Sequence, residues 1–131
     1  MTRLTWNSSG TGWITLAKIA AVFPIRFAFD HADLAPQYSQ ALGQYAALLT
    51  DQRCIALKVQ VAGNADYLGT EAYNVGLSEK RAQTAIDALT AAKVDAARLT
   101  PIGNGTSKPL DPAHSDDARA KNRRVEFSVI K

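Results

Sequence analysis

The stretch GNADYLGTEAYNVGLSEKRA, residues 63–82, decides how this chain is read. Just upstream, Ile55, Leu57, Val59 and Val61 alternate with Ala56, Lys58 and Gln60, the period of a strand with one buried face. Gly63 and Asn64 end that strand. Residues 70–75 then read as a short helical turn stopped by Gly76. Ser78 is placed to cap a new helix running through Ala82, Ala85, Ile86 and Leu89 toward Ala92. On this reading Arg81 falls in the first turn of the new helix, where unpaired backbone N–H groups and the positive end of the dipole attract an anion. Asp66 accepts from an ammonium and Arg81 forks onto a carboxylate, so the pair suits an amino-acid-like ligand.

The flanking segments extend the pattern. Residues 25–29 alternate Ile25, Phe27 and Phe29 with Arg26 and Ala28, and read as the first strand. Pro36 suits a helix start, and Leu42, Tyr45, Ala46 and Leu49 recur at helical spacing up to Thr50. Downstream, residues 98–103 read as a strand, 104–113 as a Gly- and Pro-containing loop, 115–121 as a short helical or irregular piece, and 125–130 as a last strand. The expected fold is an α/β (α+β) sandwich of βαβαββ order, with helices packed on one mixed sheet. Residues 23–131 form that domain, and residues 1–22 an N-terminal extension, a linker or an additional strand.

Composition narrows the function classes. With 131 residues, 47% hydrophobic and 21% charged, one core is expected. The net charge of +3 is spread among both signs, too weak a field to imply nucleic acid. Arg119, Lys121, Arg123 and Arg124 cluster, but Asp116, Asp117 and Glu126 offset them and no aromatic platform interleaves. Cys54 stands alone at the head of an apolar run, so it cannot form an intrachain disulfide and reads as a buried thiol. Neither His31 nor His114 has metal-ligand spacing, and no base adjoins Cys54. No catalytic residue, metal or cofactor is therefore expected, and the chain does not read as an enzyme. Gly103-Asn104-Gly105 is a lone GxG fragment that reads as a turn. Lys18, Pro24 and Arg26 interrupt the apolar residues between 13 and 29, so this domain is not expected to span a bilayer. The first twelve residues lack the pattern of a secretion signal, and any such signal is expected outside this chain.

Several motifs in one order carry a resemblance. Asn74, Leu77, Ser78, Arg81 and Ala82, preceded by Gly63 and Asp66 and followed by Gly103, Gly105, Pro109 and Asn122-Arg123-Arg124-Val125-Glu126, resemble the OmpA-like C-terminal domain family across residues 27–130. The resemblance implies a periplasmic domain that grips peptidoglycan noncovalently through the meso-diaminopimelate of the stem peptide. Its parent would be an envelope protein tethered to the outer or inner membrane, and a homodimer is compatible with it. It also implies that Asp66 takes the ligand's ammonium and Arg81 its carboxylate, with Asp30, Asn74 and Arg123 lining the same pocket.

Each of these residues has a plainer role open to it. Asp66 can turn its own loop, Arg81 can pair with Glu79 or Asp87 in solvent, Asn74 can bond nearby backbone, and Asp30 can serve a turn. Arg123 and Arg124 must point to opposite faces by strand alternation, so one alone can reach the pocket; the resemblance favours Arg123. Tyr73 and Leu77 read as packing residues. The chain departs from the family at Asn64 and Ala65, where His and Thr are usual, and at Ala28, where an acidic residue is frequent. Those departures support a rival reading, in which the same fold serves as a protein-interaction or self-association module.

Overall fold

The computed structural model of the chain describes residues 3–5, 13–15, 25–51 and 57–130. Cys54 and the first residues of the strand expected from residue 55 lie outside them. The elements in order are β1 (Arg3–Thr5), β2 (Trp13–Thr15), β3 (Ile25–Arg26), α1 (Ser39–Thr50), β4 (Lys58–Gly63), α2 (Glu71–Ala91), β5 (Leu99–Gly103), α3 (Asp116–Asn122) and β6 (Arg124–Ile130). Single 3-10 turns at Pro36–Tyr38 and Ala96–Arg98 lead into α1 and β5. Strands β1 and β2 pair antiparallel with each other.

The remaining four strands form a mixed sheet in the order β3-β6-β4-β5. Helix α2 carries the chain from β4 to its parallel neighbour β5, and β6 returns antiparallel between β3 and β4. A parallel pair needs such a crossover, and the long helix supplies it. The arrangement is the α/β sandwich that the sequence implies, with α3 inserted before the last strand.

Side-chain alternation shows why α1 and α2 pack on one face. On β6, Val125 and Phe127 are buried while Glu126 and Ser128 are exposed. Leu42, Tyr45, Ala46 and Leu49 from α1 meet Ala82, Ala85, Ile86 and Leu89 from α2 over Ile25, Phe27, Val59, Val61 and Leu99. Tyr45 and Phe127 pack with ring centroids 4.6 Å apart. Arg98 is buried too, donating to the carbonyls of Leu57 at 2.9 Å and Leu49 at 2.8 Å, which ties the end of α1 to the start of β4.

One expectation is overturned. The two helices expected around Gly76 are a single 21-residue helix, α2, capped by Thr70, whose hydroxyl accepts from the Tyr73 N–H at 3.2 Å. Glycine inside a helix costs about 1 kcal/mol relative to alanine. Here the buried stripe of Asn74, Ser78, Arg81, Ala82, Ala85, Ile86 and Leu89 runs through both halves and outweighs it. Ser78 is not a cap. Its hydroxyl donates to the Val75 carbonyl at 2.8 Å and accepts from the Gly105 N–H at 2.9 Å.

Candidate functional site

The site forms where β4 and β5 end and α2 crosses them. Gly63 and Gly103 face each other in register at those ends. A Cβ on Gly63 would lie 1.8 Å from the backbone oxygen of Ser78, so only glycine lets the helix come this close. A Cβ on Gly103 would lie 2.4 Å from the Glu79 side chain. This contact lowers Asn74, Ser78 and Arg81 onto the loop that follows β4.

That loop is held largely by backbone. The Asn64 N–H donates to the Arg124 carbonyl at 2.8 Å, and the Ala65 N–H to that of Gly105 at 2.9 Å. The Asn64 side chain is buried, donates to the carbonyls of Ala62 and Arg124, and accepts from the Asn104 amide at 3.1 Å. It therefore staples β4 to β6 and to the β5 exit. Asp66 Oδ1 accepts from the Leu68 N–H at 3.0 Å, and the Asn74 amide donates to the Leu68 carbonyl at 2.9 Å. Gly69 takes the left-handed φ of 97° that closes the loop.

Arg81 lies beneath the loop, fully buried. Its Nε donates to the His31 carbonyl at 2.9 Å, Nη1 to that of Asn64 at 2.8 Å and Nη2 to that of Ala28 at 3.2 Å. Its guanidinium carbon sits 5.4 Å from the Phe27 ring centroid. Burial, and after it the nearby Arg123, pull the Arg81 pKa down to about 10 against the opposing effect of Asp66 and Asp30. Arg81 stands in the third turn of α2, so the expected help from a helix N-terminus does not apply. Three of its five N–H donors bind the β3 exit and the β4 loop, which makes it a tie between segments as well as a cleft wall.

Asp66 has different partners from those expected. Its Oδ2 lies 3.1 Å from Arg123 Nη1 and 3.6 Å from Arg119 Nε, with the Asp66 side chain only 3% exposed. Arg123 also donates through Nε to the Phe27 carbonyl at 2.8 Å. Arg124 diverges, as strand alternation requires, and donates to the Lys108 carbonyl and to Glu126. Asp66 is thus both a loop-turning residue and half of an ion pair.

A cavity of about 80 Å³ opens above these groups. Asp30, Asp66, Asn74 and Arg81 line it, together with Phe29 and Leu77. Arg123 is absent from that lining and stands behind Asp66. Tyr73, expected to pack, is half exposed, lines the cavity and donates its hydroxyl to Asp30. Asp30 adopts φ 61°, a left-handed conformation that Asp tolerates better than most residues. Tyr73 was legible in principle, because an aromatic next to Asn74 on the outer side of the helix is not a core residue. Arg119 was legible too: it precedes Arg123 by four residues, the spacing that puts two side chains on one helical face.

Chemically, the cavity sets two carboxylates against a buried guanidinium in a space below the 300–1,000 Å³ of an ordinary ligand pocket. It fits one charged end of a larger molecule. The basic cluster near the C-terminus is paired throughout: Arg119 with Asp66 and Asp116, Lys121 with Asp111, Arg123 with Asp66, and Arg124 with Glu126.

Comparison with known proteins assigns the class. The chain belongs to the OmpA family, whose pattern matches residues 26–123. It is 38% identical over 115 residues to outer membrane protein A of Bordetella avium, covering 87% of this chain and 58% of that one. It therefore spans little more than half of that relative's length. Its fold matches the crystal structure of the peptidoglycan-associated lipoprotein from Burkholderia pseudomallei with a TM-score of 0.77 and 30% identity, over 82% of this chain and 89% of the other. The cell wall anchor of the T6SS from Pseudomonas aeruginosa matches with a TM-score of 0.66 and 34% identity, over 80% and 74%. No helix among the described residues is long and apolar enough to cross a membrane.

Proposed function

We propose that this domain binds peptidoglycan noncovalently and anchors an envelope protein to the cell wall, from a periplasmic position. The names of its relatives, a peptidoglycan-associated lipoprotein and a cell wall anchor, support the coarse assignment. The observation that carries the finer one is the meeting of Asp30, Asp66 and Arg81 around one small cavity. The ligand is the diaminopimelate of the stem peptide. Its side-chain stereocentre places an ammonium and a carboxylate on one carbon; Asp66 and Asp30 accept from the ammonium, and Arg81 takes the carboxylate.

Specificity follows from needing both charges. A wall with lysine in the third stem position offers the ammonium without the second carboxylate, and forfeits a charge-assisted bond of about 1.5–3 kcal/mol. The interaction is noncatalytic. A single module binds weakly, and many copies facing a polymer hold by avidity.

Co-sedimentation with insoluble diaminopimelate-type and lysine-type walls tests the reading. The diagnostic variant is Asp66→Asn, which keeps an acceptor for the Leu68 N–H, rather than Arg81→Ala, which strips three carbonyls of their donor. Pelleting with the diaminopimelate wall alone, weakened in Asp66→Asn, is the expected result. A wild-type domain that pellets with neither wall would transfer the assignment to the interaction-module reading, for which Ala65 in the cavity and the exposed Ile102 on edge strand β5 are the relevant features.

A further inference from the structure

The two carboxylates at the cavity are not equivalent. Asp66 is spent within the fold: Oδ1 accepts from the Leu68 N–H at 3.0 Å, Oδ2 bonds Arg123 at 3.1 Å, and Arg119 stands 3.6 Å away. Its side chain is 3% exposed, and the two arginines offset its charge. Asp30 is exposed. Its hydrogen-bond partner among the described residues is the Tyr73 hydroxyl, which donates to Oδ1, and it makes no ion pair with any of them. A carboxylate offers about four lone-pair sites, so Asp30 keeps Oδ2 for an incoming cation. A neutral hydroxyl orients that carboxylate without cancelling its charge.

The position of Asp30 is fixed as well. It takes φ 61° in a turn where the His31 N–H donates to the Ala28 carbonyl at 3.1 Å. Arg81 bonds the carbonyls at both ends of that turn, Ala28 through Nη2 and His31 through Nε. Tyr73 stands in the first turn of α2, where its N–H donates to the Thr70 hydroxyl at 3.2 Å, and it lines the cavity with Asp30. A left-handed residue other than glycine persists where its surroundings over-determine it, and such residues gather at ligand clamps. One helix therefore carries both Arg81 and the residue that aims Asp30.

We propose that Asp30, positioned by Tyr73, is the group that recognises the ligand's ammonium and sets the preference for a stereocentre that bears one. Asp66 shapes the loop and carries the smaller share of that preference. The inference rests on the diaminopimelate reading of the cavity and divides its labour: Asp30 for the ammonium, Arg81 for the carboxylate, Asp66 for the loop that brings them together.

Titration calorimetry with two stem tripeptides tests it. One ends in meso-diaminopimelate and the other in 2-aminopimelate, whose side chain keeps the terminal carboxylate but lacks the ammonium. The ratio of the two affinities reads the ammonium alone, because a variant that merely loosens the fold lowers both together. The wild-type domain prefers the diaminopimelate peptide by about tenfold or more, the size of one charge-assisted bond. Asp30→Asn, which tolerates the left-handed turn and still accepts from Tyr73, brings that ratio close to one. Tyr73→Phe lowers it part of the way, and Asp66→Asn lowers both affinities while moving the ratio least. A ratio that falls as far in Asp66→Asn as in Asp30→Asn overturns the division of roles, and one unmoved by Tyr73→Phe overturns the part given to Tyr73. A wild-type ratio near one, with both peptides bound, overturns ammonium recognition and leaves the carboxylate contact standing. Binding of neither peptide overturns the diaminopimelate reading itself.

Discussion

Two regions of the site hold their arginines by different means. Beneath the loop, Arg81 is fully buried and bonds three backbone carbonyls from two segments. At the wall, Arg119 and Arg123 share one carboxylate, with side chains 19% and 16% exposed. The floor is therefore a piece of architecture, and its loss is felt as unfolding. The wall is a charge cluster held by side chains, and its loss is felt in binding and in a smaller loss of stability. A cation tied to carbonyls cannot be replaced by one of different shape, whereas one tied to a carboxylate partly can.

The largest expected effect follows from breaking the floor. Arg81→Met leaves the buried Asn64 carbonyl and the part-buried His31 and Ala28 carbonyls without their donor, and urea unfolding should show a loss of about 3–5 kcal/mol, since an unsatisfied buried acceptor costs about 1–3 and the two others add to it. Rescue by Arg81→Lys should be partial at best, because an ammonium cannot span three directions as the guanidinium fork does. If Arg81→Met melted like the wild type, the floor would be no tie at all.

Next comes the helix approach that sets floor and wall at their separation. Gly63→Ala drives a Cβ into the Ser78 backbone and should cost about 1–3 kcal/mol or more. Gly103→Ala should cost less, because the backbone atom its Cβ would meet, the Glu79 nitrogen, lies at 2.9 Å against 1.8 Å for the Ser78 oxygen at Gly63. Reversal of that order in thermal melts would contradict the packing described.

At the wall, Asp66→Asn keeps the Leu68 turn but weakens the bond to Arg123, and should destabilise by about 1.5–3 kcal/mol. The alkaline limb of stability separates two further groups. Tyr45 is buried and its pKa is raised, so above pH 10 the unfolded chain has lost a proton that the folded chain keeps, and stability falls. Arg81 acts with the opposite sign: burial lowers its folded pKa to about 10, below its unfolded value, so its own contribution rises as pH increases beyond about 10. Tyr45→Phe should therefore lose less stability than the wild type between about pH 9 and 11.

The smallest effect tests the continuity of α2. A Cβ on Gly76 would meet nothing within 4 Å, and this residue is not among the positive-φ glycines, so Gly76→Ala should stabilise by about 0.5–1 kcal/mol. Were residues 70–75 a separate turn ending on a left-handed Gly76, the same change would destabilise.

The sequence by itself determined the order of the strands β3 to β6, the apolar faces of α1 and β4, and four of the five polar residues expected at the first cavity, Arg123 being the exception. These rest on periodicity and on local chemistry, both of which act over a few residues. Tertiary structure decided the rest. A glycine halfway along a helix reads locally as a stop, and only the stripe buried against β4 and β5 shows that the helix continues. The partner of Asp66 was likewise set from afar, by α3 and β6 returning 57 residues later to the middle of the sheet. The sequence marks Asp66 and Arg81 as opposite charges fifteen positions apart; the fold gives the first to Arg123 and the second to backbone carbonyls, because a buried group bonds whatever the packed chain places within reach.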